Sequence, residues 1–331
     1  MPVAADTRAP TVAMLDAAAA RLAGHIRCTP LLSSPALDAV ARRRVLVKAE
    51  CLQHTGSFKL RGAWAAVSAL SPAARARGVI AWSSGNHAQG VAAAARAHGM
   101  RAVIVMPADA PRIKTAATRA LGAELIPYDR AHDDREAIAA GIIERDGLTL
   151  IRPYDDPQVI AGQGRVGLEL AAQLASEGID QAEVLVPCGG GGLAAGVALA
   201  LDARAPGLRV RPVEPEGHDD TARALAGQPH HPNPGPSALC DAILTPRPGL
   251  LTLPVLQRLA GPGLAVADHD TLRAMAAAAA HLKLVIEPGG AVALAAALFQ
   301  PATLRPGPVV IIASGGNVDR ALFARALDTE D

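Results

Sequence analysis

Short runs of aliphatic and β-branched residues alternate along the chain with alanine-rich stretches of helical spacing. The runs "RVLVKAE" (44–50), "GVIAWSS" (78–84), "RAVIVMP" (101–107), "AELIPYD" (123–129), "EVLVPCGGGG" (183–192) and "PVVIIASGG" (308–316) each hold a largely apolar centre. A strand covered on both faces has no polar side to show, so these runs predict a mostly parallel sheet. Between them, "HAQGVAAAARAHG" (87–99), "RIKTAATRALG" (112–122) and "GQGRVGLELAAQLASEG" (162–178) carry helical spacing and end in glycine, the usual stop signal. Several strands run straight into glycine or serine turns before the next helix. In open α/β sheets, ligands gather at those carboxyl ends. "GQPHHPNPGP" (227–236) is the one obvious long loop, and no internal repeat is visible. The pattern predicts an α/β protein of two lobes with a cleft between them.

Composition narrows this picture. The 331 residues are 50% hydrophobic but only 2% aromatic, so the core must be built from Ala, Leu and Val. A net charge of +1 gives no electrostatic reason to expect nucleic acid or an anionic membrane as partner. No apolar run reaches the roughly 20 residues of a membrane span, and "MPVAADTRAP" lacks the apolar region of a signal peptide. Cys28, Cys51, Cys188 and Cys240 are far apart and form no C-x-x-C pair, which reads as reduced thiols of a cytoplasmic protein.

Four stretches carry candidate chemistry. "TGSFKLRG" places Lys59 among small and apolar neighbours. It is either an ordinary surface lysine or a shielded amine able to form an imine with a carbonyl cofactor. "SSGNHAQG" (83–90) follows a strand and opens a helix. Its converging amides near Ser84 to His87 suit an α-carboxylate, and Asn86 adds a donor; a plain N-cap turn is the alternative. "CGGGGLAAG" (188–196) sets four glycines before a helix, a natural phosphate cradle that is neither a P-loop nor a dinucleotide fingerprint. "ASGGNVD" (313–319) ends a strand in glycines, with Ser314 offering one neutral hydroxyl. Together they describe a site for pyridoxal phosphate and an amino acid.

With "GSFKLRGA", "SSGNHAQG", "IAGQG", "GGGG", "EPGGAVALAA" and "SGGNVD" all in order, the chain resembles the fold-type II pyridoxal-phosphate enzymes. In particular it resembles the serine/threonine dehydratase and serine racemase family, hydroxyaspartate dehydratase-like branch. The resemblance implies two open α/β lobes with mostly parallel twisted sheets, tryptophan synthase β-like. A large cofactor-binding domain would comprise 1–71 plus 153–331, and a small mobile substrate-side domain 72–152. It further implies that Lys59 holds the cofactor covalently, with Phe58 beside its ring. Asn86 would meet its 3′-oxygen, Gly189, Gly190, Gly191 and Gly192 its phosphate, and Ser314 its ring nitrogen. Ser83, Ser84, Asn86 and His87 match the substrate-carboxylate turn, and Glu287 a glutamate near the cofactor. "VEPEGHDD" resembles a divalent-cation segment, in which Glu214 and Asp220 would give carboxylate oxygens and His218 its backbone carbonyl. Oxygen ligation suits Mg²⁺ or Ca²⁺; a solvated acidic loop is the alternative.

The implied activity is β-elimination from a β-hydroxy-α-amino acid to a 2-oxo acid and ammonia. Serine or threonine, 3-hydroxyaspartate and bulkier 3-hydroxy amino acids are the substrates in view. Arg135, in "YDRAHDDREAI" (128–138), matches an arginine that contacts a second carboxylate, or is a surface residue. Ser84 matches a serine that donates a proton on the face opposite the lysine in racemases, or simply caps the helix. Racemisation of serine or aspartate at the same site is therefore the alternative activity. Sulfhydrylase-type and tryptophan synthase-type relatives differ at His87 and around Lys59. Two further classes remain, a nucleotide-binding oxidoreductase and a non-catalytic amino-acid-binding regulator. The resemblance also implies a homodimer without a C-terminal regulatory domain.

Overall fold

A computed structural model describes residues 9–83, 85–110, 112–230, 232–233 and 239–329. The described residues form ten strands: β1 (Leu31–Ser33), β2 (Val45–Lys48), β3 (Val79–Trp82), β4 (Ala102–Pro107), β5 (Glu124–Tyr128), β6 (Thr149–Leu150), β7 (Ala182–Pro187), β8 (Leu208–Pro215), β9 (Leu264–Val266) and β10 (Val309–Ile312). They make a six-stranded sheet in the order β1-β2-β10-β7-β8-β9 and a four-stranded sheet in the order β5-β4-β3-β6. Every pairing is parallel except β1 with β2. All six strands read from the apolar runs are present.

The inner strands β2, β4 and β10 are buried throughout, which is why they read as continuous apolar runs, while β5 at a sheet edge is partly exposed. Side chains alternate across β10: Val309 and Ile311 join one core while Val310 and Ile312 join the other. In the smaller sheet, Val103 and Val105 face one core and Ala102, Ile104 and Met106 the opposite one. The helices Gly192–Arg204 and Pro288–Phe299 are buried almost all round, which their alanine content allows.

The four strands not read from the sequence have identifiable causes. β1, β6 and β9 hold three, two and three residues, too few to set a period. β8, "LRVRPVEP", carries Arg211 inside the sheet. That guanidinium is buried and satisfied by Glu183 and by the carbonyls of Pro262 and Thr303. With Arg209, Glu214 and two prolines beside it, its charge breaks up the apolar run by which the other strands are read.

Behind the cleft lies a buried charge network. Arg61, fully enclosed, donates to Glu50 at 2.7 Å and to Glu169 at 2.8 Å, and Lys48 reaches Glu169 at 2.7 Å. It joins β2, the Lys59–Ser68 helix and the Pro157–Ser176 helix, whose N-terminus Asp156 caps. The two helices approach so closely that a Cβ at Gly162 would lie 2.5 Å from the Arg61 carbonyl oxygen. The glycine of "IAGQG" therefore serves packing against the lysine-bearing helix.

Candidate active site

After β2 the chain leaves the sheet through two short turns, Glu50–Leu52 and His54–Gly56. Thr55 adopts a left-handed conformation (φ 65°), and Ser57 then bridges to Gly315 in antiparallel fashion. The Phe58 amide donates to the Ser314 carbonyl at 3.1 Å and the Gly316 amide to Gly56 at 2.9 Å. These bonds seat Lys59 at the first turn of its helix against the end of β10. Its Nζ donates to the Pro153 carbonyl at 2.8 Å and lies 5.2 Å from the centre of the Phe58 ring. Desolvation pulls its pKa down to about 8, with the nearby Glu287 carboxylate opposing.

At the end of β3, the Ser83 hydroxyl accepts from the Gly85 amide at 3.1 Å, and the Asn86–Ala97 helix begins. Its first amides have no intrahelical acceptor, and Asn86 and His87 line the cleft. The Asn86 amide group is held at both ends: Nδ2 donates to Glu287, and Oδ1 accepts from Asn317 at 2.8 Å. The Ile151 carbonyl lies 2.9 Å from His87 Nε2, and a carbonyl only accepts, so Nε2 carries the proton. Burial and then the Lys59 charge pull the His87 pKa to about 3, leaving a neutral imidazole.

The glycine run follows β7. Gly191 has φ 87°, in the left-handed region that favours glycine. A Cβ at Gly189 would sit 2.9 Å from the Ile243 carbonyl oxygen, and one at Gly190 would strike the Tyr154 ring. Among the described residues, the amides of Gly189, Gly190, Gly192 and Leu193 find no backbone carbonyl. Free amides at the start of a helix form a cradle for an oxyanion.

Across the cleft, Glu287 is buried, and burial foremost pushes its pKa up to about 7. Lys114, buried as well, donates to Asp241 at 2.7 Å and stands 4.0 Å from Glu287. The buried hydroxyl-bearing Ser314 completes this wall. One cavity of about 350 Å³ thus brings together Phe58, Lys59, Ser83, Asn86, His87, Arg135, Gly189, Gly190, Gly191, Gly192, Glu287 and Ser314. Ser84 lies outside the described residues.

Sequence reasoning missed Arg152, Tyr154, Lys114, Asp241 and Asn317. Asn317 belongs to the quoted "SGGNVD" motif, where its role as a tie between Asn86 and the Thr55 carbonyl was available to be asked about. Lys114 sits in a polar helix whose pattern gives no sign that this residue turns inward.

Glu214, His218 and Asp220 stand apart from the cavity, beneath the glycine run. Glu214 accepts from the Thr221 and Ala222 amides at 3.0 and 2.7 Å. Asp220 accepts from Asn233 at 3.0 Å through Oδ1, while its Oδ2 is buried without a partner among the described residues. Burial and then Asp220 push the Glu214 pKa up to about 8. The Cys188 thiol links this pair to the glycine run through Thr221, at 3.6 Å.

Comparison with known proteins gives this geometry its family. An L-threo-3-hydroxyaspartate ammonia-lyase of Pseudomonas sp is 42% identical over 311 residues, covering 94% of this chain and 96% of that protein. The serine racemase of Schizosaccharomyces pombe is 39% identical over 320 residues, covering 96% and 97%. Among solved structures, a threonine deaminase from the organism abbreviated T.th. superposes with a TM-score of 0.87 at 44% identity, over 94% of this chain and 99% of that one. Maize serine racemase superposes at 0.89 and 35% identity, over 97% of each. The family profile described as "Pyridoxal-phosphate dependent enzyme" matches residues 22–315, and the chain belongs to that family.

Proposed function

We propose that this chain eliminates water from a β-hydroxy-α-amino acid, with hydrolysis of the released enamine giving a 2-oxo acid and ammonia. The observation that carries the reading is one cavity whose wall holds a desolvated lysine, the glycine run with its free amides, and Ser83, Asn86 and His87. Ammonia-lyase relatives at 38–42% identity support the same reaction class.

The residues fit pyridoxal phosphate. Lys59 would hold its aldehyde carbon, the free amides of Gly189, Gly190, Gly192 and Leu193 its phosphate, and Ser314 its ring nitrogen, with Asn86 at the 3′-oxygen and Phe58 beside the ring. When bound, the cofactor supplies a sink for the electron pair released at Cα. The Lys59 amine, its pKa near 8, is neutral often enough to take the Cα proton. Ser83 and the first amides of the Asn86–Ala97 helix receive the α-carboxylate. Neutral His87, fixed on the Ile151 carbonyl, holds that turn without adding a charge. Ser314 is a neutral partner, so it does not hold a proton on the ring nitrogen; prompt loss of the β-hydroxyl is favoured over transamination.

We take residues 72–152 as the substrate-side lobe, moving against 1–71 plus 153–331, and the working form as a cytoplasmic homodimer. Among the described residues no helix is long and apolar enough to cross a membrane. The unpartnered Asp220 oxygen beside Glu214 fits an oxygen-ligating divalent cation. Mg²⁺ at 100 times its dissociation constant is expected to add about 2.7 kcal/mol of stability, read as a raised Tm. Asp220→Asn should remove that gain, and a gain unchanged in the variant would refute the assignment.

The test of function is 2-oxo acid release from purified protein given L-threo-3-hydroxyaspartate, serine and threonine. Turnover of at least one, with equimolar ammonia, is the expected result. The serine racemase relatives favour a second reading at the same site. Exchange of serine enantiomers without 2-oxo acid would replace the first reading by that one.

A further inference from the structure

The cavity wall carries three guanidinium groups, those of Arg135, Arg152 and Arg247. Among the described residues none of the three has an acceptor. Arg135 and Arg247 are exposed, where water solvates the charge and an added ion pair gains little. Arg152 differs. It is half-buried in the cavity wall and has no counter-charge among the described residues, which leaves its fork free for a group of the substrate.

Its position in the chain says what that is. The carbonyl before it, of Ile151, fixes His87, and the carbonyl after it, of Pro153, receives Lys59. Arg152 therefore emerges from the stretch of backbone that orients both the carboxylate turn and the reacting amine. The acidic residues of the same wall are otherwise engaged. Asp155 accepts from the Leu250 and Leu251 amides, Asp241 from Lys114, and Glu287 from Asn86; Glu136 is exposed.

We propose that Arg152 is the specificity-determining residue of this site, receiving a second carboxylate on the β-carbon side of a dicarboxylic hydroxy amino acid. The planar fork of the guanidinium matches a carboxylate through two parallel hydrogen bonds, which a compact ammonium does not reproduce. The proposal rests on the elimination reading above for its substrate.

The experiment compares holoenzyme of the wild type, Arg152→Met and Arg152→Lys on L-threo-3-hydroxyaspartate and on serine. In parallel, succinate and propionate are titrated against the visible absorbance of the bound cofactor, and pyridoxal phosphate affinity is measured. Arg152→Met should raise the KM for hydroxyaspartate roughly 10- to 150-fold, the size of one lost charged hydrogen-bonded pair. It should weaken succinate similarly and leave serine, propionate and cofactor affinity unchanged, with Arg152→Lys in between. An equal loss on both substrates, an unchanged preference, or a loss of cofactor affinity each overturns the assignment. Should the wild type release 2-oxo acid from nothing, the elimination reading fails, and the succinate titration still decides the role of Arg152.

Discussion

Lys59→Ala is expected to abolish the visible absorbance of the holoprotein and to lower turnover about 1,000-fold or more. Proton transfer by a positioned base contributes roughly 10²- to 10⁴-fold by itself, and the covalent hold on the cofactor is lost in the same variant. In the wild type the rate should fall as pH drops below about 8, because the ammonium form of Lys59 cannot take a proton. The Pro153 carbonyl, 2.8 Å from Nζ, is a neutral acceptor and adds no charge to hold the proton there. Borohydride trapping followed by peptide mass spectrometry locates the attachment. An adduct on another lysine, or full turnover in the variant, would remove Lys59 from the mechanism.

The largest stability effect is expected from Arg61→Met, at about 3–5 kcal/mol. Arg61 is the cation shared by Glu50 and Glu169, and all three are buried. Removing it leaves Glu50 with the Thr29 hydroxyl and the carboxylate of Glu169 with Lys48 and the more exposed Arg165. Burial works against the charged form of Glu169, yet Arg61 and Lys48 hold its pKa below the ordinary value. That contribution to stability is present above the unfolded pKa and disappears as pH falls through the lowered one. Arg61→Lys keeps the charge without the fork and should lose less. Urea unfolding of the three proteins measures the difference; a loss below about 1 kcal/mol for Arg61→Met would mean that water enters and rescues the pair.

The parts of the site built from backbone were legible in the sequence. Glycine runs, serine turns and strand ends announce themselves by residue type, so the cradle at 189–192 and the turn at 83–87 were found from their letters. The neighbours of Lys59 left two readings open, and only the company of the other motifs and the family resemblance singled it out. Arg152 and Lys114 were missed because nothing local distinguishes them: Lys114 meets Asp241 and Glu287, and the backbone on either side of Arg152 holds His87 and Lys59, all far away in the chain. Arg211 illustrates the same rule in the fold, since a buried arginine satisfied by Glu183 interrupts the continuous apolar run that marks the other buried strands. Pattern shows what a residue does to its neighbours in sequence, and pairing across the sheet decides the rest.

The strand order has a consequence for biosynthesis. β10 is the last strand in the chain, yet it lies inside the larger sheet, between β2 and β7. A nascent chain emerging from the ribosome must therefore keep a gap beside its second strand until Val309–Ile312 has been made. The wall of the Lys59 cavity is tied to the end of that strand through Ser57 and Gly315, so it is complete only after residue 315 has been made. Until then the exposed edges of β2 and β7 are the places where a chaperone has most to protect.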